Sequence, residues 1–218
     1  HAFDVHVPHT ELRVIGSSVV DTSAPPAISN SPSWSELADW NLSGQVAEML
    51  APTTYVPRVE ELTEESRSLS GSGSPAEAFQ SAADWVHSRL QYQRDTTDVS
   101  TTAVEALRMG TGVCQDFAHL TLALLRAMGI PARYTSGYVF PSPDAEVGED
   151  VAGHSHAWVE AWLGDWCALD PTHGVPVGER HVVVARGRDY ADVPPLKGVY
   201  RGGPAQSLGV SVELTRLG

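Results

Sequence analysis

The chain has 218 residues, 42% of them hydrophobic and 19% charged, a balance that excludes a disordered polymer and fits a folded globular protein. With 27 acidic against 14 basic residues the net charge is −13, which argues against a nucleic-acid groove, where a basic stripe is needed. No run approaches the roughly 18–20 uninterrupted apolar residues of a membrane span, and two cysteines are too few for a disulfide scaffold.

The chain opens at His1 with neither an initiator Met nor a signal peptide, so it reads as a cytoplasmic protein with a truncated N-terminus. Residues 1–22 alternate: Phe3, Val5 and Val7 share one face and Asp4 and His6 the other, before Pro8-His9-Thr10 turns toward Leu12, Val14 and Val19-Val20. Two strands alone are marginal in water. They therefore need a partner sheet in this chain, in another, or in a missing N-terminal part, and are expected to pair with another chain or to pack back on this one.

Residues 24–74 read as a linker with helical segments. Ala24-Pro25-Pro26 and Ser31-Pro32-Ser33 punctuate it. A helix over Trp34–Met49 follows, with Ser33 as N-cap and a break at Asn41-Leu42-Ser43-Gly44. An acidic helix spans Glu60–Leu69, and Gly71-Ser72-Gly73-Ser74 forms a loop.

The span from 75 to 218 reads as one unit. Ser74 as N-cap and Pro75 at the first helical position start a helix with Phe79, Ala82, Val86 and Leu90 on one side. Ser100 or Thr101 caps a short helix, Thr102–Met109, ended by Gly110. A third helix runs from Cys114 to Met128 with Leu120, Leu124 and Leu125 apolar, and stops at Gly129 and Pro131. Strands follow at Arg133–Phe140, His156–Leu163 and Trp166–Asp170, then at Val182–Val184 and Gly209–Leu214. Helices before sheet indicate α+β with antiparallel pairing.

The chemistry concentrates on three residues in chain order: Cys114 at a helix start, His156 on a strand, and Asp170 at the end of the next strand. A thiol there meets the positive end of the helix dipole, worth about 0.3–1 kcal/mol, less than one pKa unit at about 1.36 kcal/mol. A protonated His156 in contact is needed for any larger drop. Asp170 would hold the imidazole in the right tautomer. If Asp170 faces His156, then Ala168 and Trp166 share its face while Cys167 and Leu169 point away, which makes Cys167 a core thiol and not a disulfide partner of Cys114. His154 shares a strand face with His156, so parity does not separate them. His154, His173 and His181 show no short-spaced ligand set, and no metal or other cofactor is expected. The acidic segment with Asp144, Glu146, Glu149 and Asp150 reads as a solvated rim or mobile flap.

These residues carry a family resemblance. Gly112-Val113-Cys114-Gln115-Asp116-Phe117-Ala118, Leu125 through Arg133, Ser136-Gly137-Tyr138, His156-Ala157-Trp158-Val159-Glu160 and Asp170-Pro171-Thr172 resemble the core motifs of the bacterial transglutaminase-like superfamily. The tail from Arg188 to Pro195 and Gly198-Val199-Tyr200-Arg201-Gly202 is similar to that superfamily's cysteine-protease-like subgroup. The resemblance implies a papain-like core, a Cys-bearing helix packed on an antiparallel sheet, with 75–218 as the catalytic domain and residues 1–23 as the remnant of an N-terminal β region. It assigns Cys114 as nucleophile, His156 as general base and acid, and Asp170 as orienter. The Cys114 backbone N–H plus one further donor would form an oxyanion hole; Tyr92 resembles that donor, or is simply a core tyrosine. Gln115 and Trp158 are expected to line the site.

The expected reaction is cysteine-dependent hydrolysis of a peptide or protein amide through a thioester, with no nucleic-acid or membrane partner. Acyl transfer to an amine uses the same thioester, and a peptide-binding scaffold without catalysis is the third reading. The sequence leaves the oligomeric state open.

Overall fold

The computed structural model of the chain describes residues 4–23, 31–42, 44, 46–71, 73–142, 144–195, 197–199, 201–203 and 209–218. Phe3, the 24–30 stretch, Ser43, Ser72, Pro143 and Tyr200, on which sequence expectations fall, lie outside these residues. Residues 4–23 contain neither helix nor strand and are exposed throughout, so the alternating pattern forms no hairpin on this chain and does not pack back on it. An isolated strand pair buries too little apolar surface to offset its chain entropy.

Helices come first, and side-chain caps decide where they begin. α1 (Trp34–Leu42) is closed by Ser33, whose hydroxyl accepts the Glu36 N–H at 3.3 Å while Glu36 Oε2 accepts the Ser33 N–H at 2.8 Å. It stops seven residues short of the predicted Met49, and a 3₁₀ turn over Ala47–Leu50 follows. α2 (Glu60–Ser70) and α3 (Pro75–Arg89) come next, the latter opened by a Ser74–Glu77 capping box with Pro75 in its first turn. β1 (Gln91–Tyr92) precedes α4 (Ala103–Met109), whose cap is Thr102, one residue beyond the expected Ser100 or Thr101. β2 (Thr111–Gly112) then leads into α5 (Cys114–Met128), which ends at Gly129 with φ +85°.

α5 is the centre of the molecule. Every residue from Gln115 to Arg126 is buried, because α2, α3 and α4 pack on one side of it and the sheet on the other. Leu37, Val56 and Leu62, from the segment expected as linker, share one core with Phe79, Leu120 and Val159.

The sheet comprises β3 (Ala132–Val139), β4 (Asp150–Trp162), β5 (Trp166–Asp170), β6 (Val175–Pro176), β7 (His181–Gly187) and β8 (Val212–Thr215). Its order is β6-β5-β4-β3-β7, all antiparallel, with β8 paired to the start of β4. The architecture is α+β, helices on an antiparallel sheet. Ala157, Val159 and Ala161 of β4 join Ala132 and Tyr134 of β3 in the core beneath α5. The opposite face carries Glu160 between Arg133 and Arg186.

β4 starts six residues before the predicted His156, and the acidic segment runs straight into it. Gly148 donates to the Arg216 carbonyl at 2.8 Å and Thr215 donates its hydroxyl to the Asp150 carboxylate, so of the two expectations, solvated rim or mobile flap, the exposed Asp144, Glu146, Glu149 and Asp150 fit the rim, tied down by β8. Among the described residues no helix is long and apolar enough to cross a membrane.

Candidate active site

The position of Cys114 is set by its neighbours in sequence. Asp116 Oδ2 reaches back to accept the Val113 N–H at 2.8 Å and the Thr97 hydroxyl at 2.7 Å, which closes the first turn of α5. Gly112 is required there: a Cβ on it would stand 2.7 Å from the Asp116 side chain. β1 and β2 pair in parallel with Tyr92 opposite Gly112, so the ribbon delivers the chain directly to Cys114.

His156 and Asp170 come together through strand pairing. β5 pairs with β4 over Val159–Trp162, and β8 pairs with it over Asp150–Gly153. Between them, His154–Trp158 are paired on the β3 side alone among the described residues. At this open edge Asp170 Oδ2 lies 2.7 Å from His156 Nε2. The backbone N–H of Ala157, next to His156, faces the sulfur of Cys114 together with that of Gln115, so the thiol sits beside the strand at the histidine. With Nε2 committed to the carboxylate, Nδ1 is the nitrogen left to exchange a proton with a thiol.

Asp170 divides its oxygens between two tasks. Oδ1 accepts the N–H groups of Thr172 at 3.0 Å and His173 at 3.3 Å, making the turn that an Asp before Pro favours. Oδ2 accepts from His156, from His173 Nδ1 at 2.6 Å and from His181 Nε2 at 3.4 Å. Burial alone would raise its pKa, but the hydrogen bonds from His156, His181 and His173 outweigh it, and the carboxyl is held well below the usual range.

The thiol behaves otherwise. Burial pushes Cys114 up to about 11, against the lowering by the Ala157 and Gln115 amides and with the charges of Asp170 and Asp116 adding to the rise. Burial therefore opposes the thiolate expected at this helix start, and the desolvation exceeds what a helix start can return.

The remaining predicted residues separate in role. Tyr92 is 48% exposed, so it is no core tyrosine, and its strand pairs with the one that leads into Cys114. Gln115 contributes its backbone; its side chain turns away to the Val99 carbonyl at 3.3 Å. Trp158 is fully buried and lies behind His156, ring centroids 6.2 Å apart, so it supports the imidazole and does not line an open surface. His154 is exposed. Cys167 is a buried free thiol in the core cluster, as strand parity requires. Sequence reasoning missed the joining of His173 and His181 to Asp170. His173 lies three residues after Asp170, within reach of a turn, whereas nothing local signals His181.

The model of the transglutaminase-like superfamily matches residues 64–171, which contain all three candidate catalytic residues. The uncharacterized protein ML0607 of Mycobacterium leprae is 47% identical over 217 residues, 99% of this chain and 77% of that protein. A protein-glutamine gamma-glutamyltransferase of Pseudomonas aeruginosa is 34% identical over 106 residues, 43% of this chain and 15% of that protein. Among solved structures, "a putative cysteine protease" from Cytophaga hutchinsonii superposes with a TM-score of 0.59 at 28% identity, over 80% of this chain. The chain spans about half of that protein, 53%.

Proposed function

The chain belongs to the transglutaminase-like superfamily, and on that premise we propose that it hydrolyses peptide or amide bonds through a thioester formed at Cys114. The observation that carries the reading is the 2.7 Å contact of His156 Nε2 with Asp170 Oδ2, at the strand edge where the Cys114 sulfur meets the Ala157 amide.

The steps follow from the groups present. As the sulfur attacks the substrate carbonyl carbon, its proton passes to His156 Nδ1, and Asp170 stabilises the imidazolium. A thiol at about 11 makes this proton transfer part of the attack and not a prior ionisation. The oxyanion meets first-turn N–H groups of α5, with the hydroxyl of Tyr92, a half-exposed residue paired opposite Gly112, as the second donor. Collapse breaks the C–N bond, His156 gives its proton to the leaving amine, and a thioester remains. Water, deprotonated by His156, then attacks the thioester, releasing the acid and restoring the thiol.

p-Nitrophenyl acetate tests this. The expected result is a burst of nitrophenolate equal to the enzyme, an acetyl group located on Cys114 by mass spectrometry, no burst in Cys114→Ser, and a loss of about 100-fold or more in His156→Ala. Absence of acyl-Cys114 would leave a peptide-binding scaffold. Acyl transfer is the second reading, favoured by the Pseudomonas aeruginosa relative's name. Incorporation of an amine into a glutamine peptide faster than release of ammonia would select it over hydrolysis.

A further inference from the structure

Three imidazoles converge on one carboxylate oxygen, yet they are not equivalent. His173 is 56% exposed at its side chain, whereas His156 and His181 are buried with Asp170. His181 stands at the first residue of β7, opposite Val139. Its ring packs edge-on against Trp158, 5.2 Å between centroids, and Trp158 in turn flanks His156.

The ligand atoms of His156, Asp170 and His181 lie within 4.8 Å of one another, a spacing that a divalent cation could use. The tautomer of His181 speaks against it. Its Nδ1 accepts the Gly178 backbone N–H at 3.1 Å, so in the neutral ring the proton sits on Nε2 and points at Asp170. A ring that ligates through Nε2 must carry its proton on Nδ1, where it would oppose the Gly178 N–H. Metal-bound histidines instead donate that second N–H to an acceptor. The turn that delivers His181, closed by its own N–H to the Gly178 carbonyl at 2.9 Å, therefore builds a hydrogen-bond donor.

We propose that His181 is a positioning residue for the thiol chemistry: its ring, locked by Gly178 as an Nε2–H donor, holds the Asp170 carboxylate so that Oδ2 stays on His156. This rests on the reading of Cys114, His156 and Asp170 as a working set. At 3.4 Å the bond is long, so its weight is that of one modest neutral hydrogen bond together with the exclusion of water from the buried face of Asp170. His181 acts on the reaction through Asp170 and then His156, without touching the substrate.

The test is acylation by p-nitrophenyl acetate in the wild type and in Asp170→Asn, His181→Ala and His181→Gln, with the Cys114→Ser background subtracted. His181→Ala is expected to lower kcat by about 3- to 10-fold with KM unchanged. His181→Gln, which keeps an N–H donor at similar reach, is expected to recover most of that loss. Adding His181→Ala to Asp170→Asn should cost nothing further, because the carboxylate it positions is gone. Circular dichroism of each variant excludes misfolding, and His181→Gln decides the question should His181→Ala not fold. Unchanged acylation in His181→Ala overturns the proposal, as does a folded His181→Gln no better than His181→Ala. So does zinc binding, measured by calorimetry, that disappears in His181→Ala while acylation persists, since the cluster would then be a cation site. If Asp170→Asn acylates like the wild type, the triad falls and this role with it; a loss there but none in His181→Ala removes the role of His181 alone.

Discussion

Gly137 lies beneath the ring of Trp158. A Cβ on Gly137 would stand 2.5 Å from Trp158 Cη2 and 2.1 Å from the Val182 carbonyl oxygen. Gly137 pairs with His156 across β3 and β4, so a bare backbone at one residue lets the indole slide under the imidazole pair it supports.

Gly137→Ala is therefore expected to destabilise the fold by about 1–3 kcal/mol, the range for overpacking a filled site, because neither the carbonyl nor the buried ring can yield cheaply. Urea unfolding at neutral pH checks it. A midpoint equal to the wild type would mean that β3 and β7 separate freely at this point.

Cys114, raised to about 11 by burial, is expected to label slowly with iodoacetamide at pH 7, where about one molecule in 10⁴ carries the thiolate. Its rate should climb about tenfold per pH unit from 7 to 10 without a plateau. A plateau reached below pH 7, located on Cys114 by peptide mapping, would reveal a resting thiolate–imidazolium pair and refute the neutral thiol.

His119 gives the fold a pH dependence of its own. It is fully buried on α5, between the rings of Tyr55 and Tyr134 at 5.6 and 5.2 Å, and its Nε2 accepts the Tyr190 N–H at 3.2 Å. Burial, aided by the charge of Arg126, lowers it to about 3 from the ordinary 6.5. The unfolded chain binds this proton before the folded one does. Stability is therefore complete above pH 6.5 and falls as the pH drops toward 3, by up to about 1.4 kcal/mol per unit. Urea unfolding at pH 7, 5.5 and 4.5 should show that slope, and His119→Phe should flatten it over the same window. Asp170, held low, adds its own loss only below about pH 4, where the unfolded carboxylate begins to protonate.

Arg126 is a buried clamp. Its guanidinium donates to the carbonyls of Ala132, Ala51 and Arg188, which tie the end of α5 to β3, to the segment after the 3₁₀ turn and to the end of β7. Arg126→Met keeps the length but strands three carbonyls, and a loss of about 3 kcal/mol or more is expected in chemical denaturation. A loss under 1 kcal/mol would show that water replaces the guanidinium there.

The local chemistry of this chain was legible to the extent that it is local. Ser74-Pro75, Gly110, and Gly129 after Met128 act within four residues of themselves, so the helix ends they predict are where α3, α4 and α5 begin or stop. Trp166–Asp170 has the predicted bounds because Gly164-Asp165 forces a tight return. The helix after Ser33 stopped early at the anticipated break, whereas β4 began early because β8, some sixty residues away, pairs with Asp150–Gly153. Among the described residues 4–22 the expected strands did not form, since alternation supplies a face but no partner for it.

Resemblance to the family's motifs named which thiol, which histidine and which carboxylate to expect, and strand parity alone separated Cys167 from Cys114. Only the tertiary structure decided how deeply that thiol is covered and the company that Asp170 keeps. Desolvation and hydrogen-bond competition depend on distances between residues far apart in the chain: a sulfur's charge is settled by what covers it, and His181 meets the carboxylate only because β7 folds back beside β3.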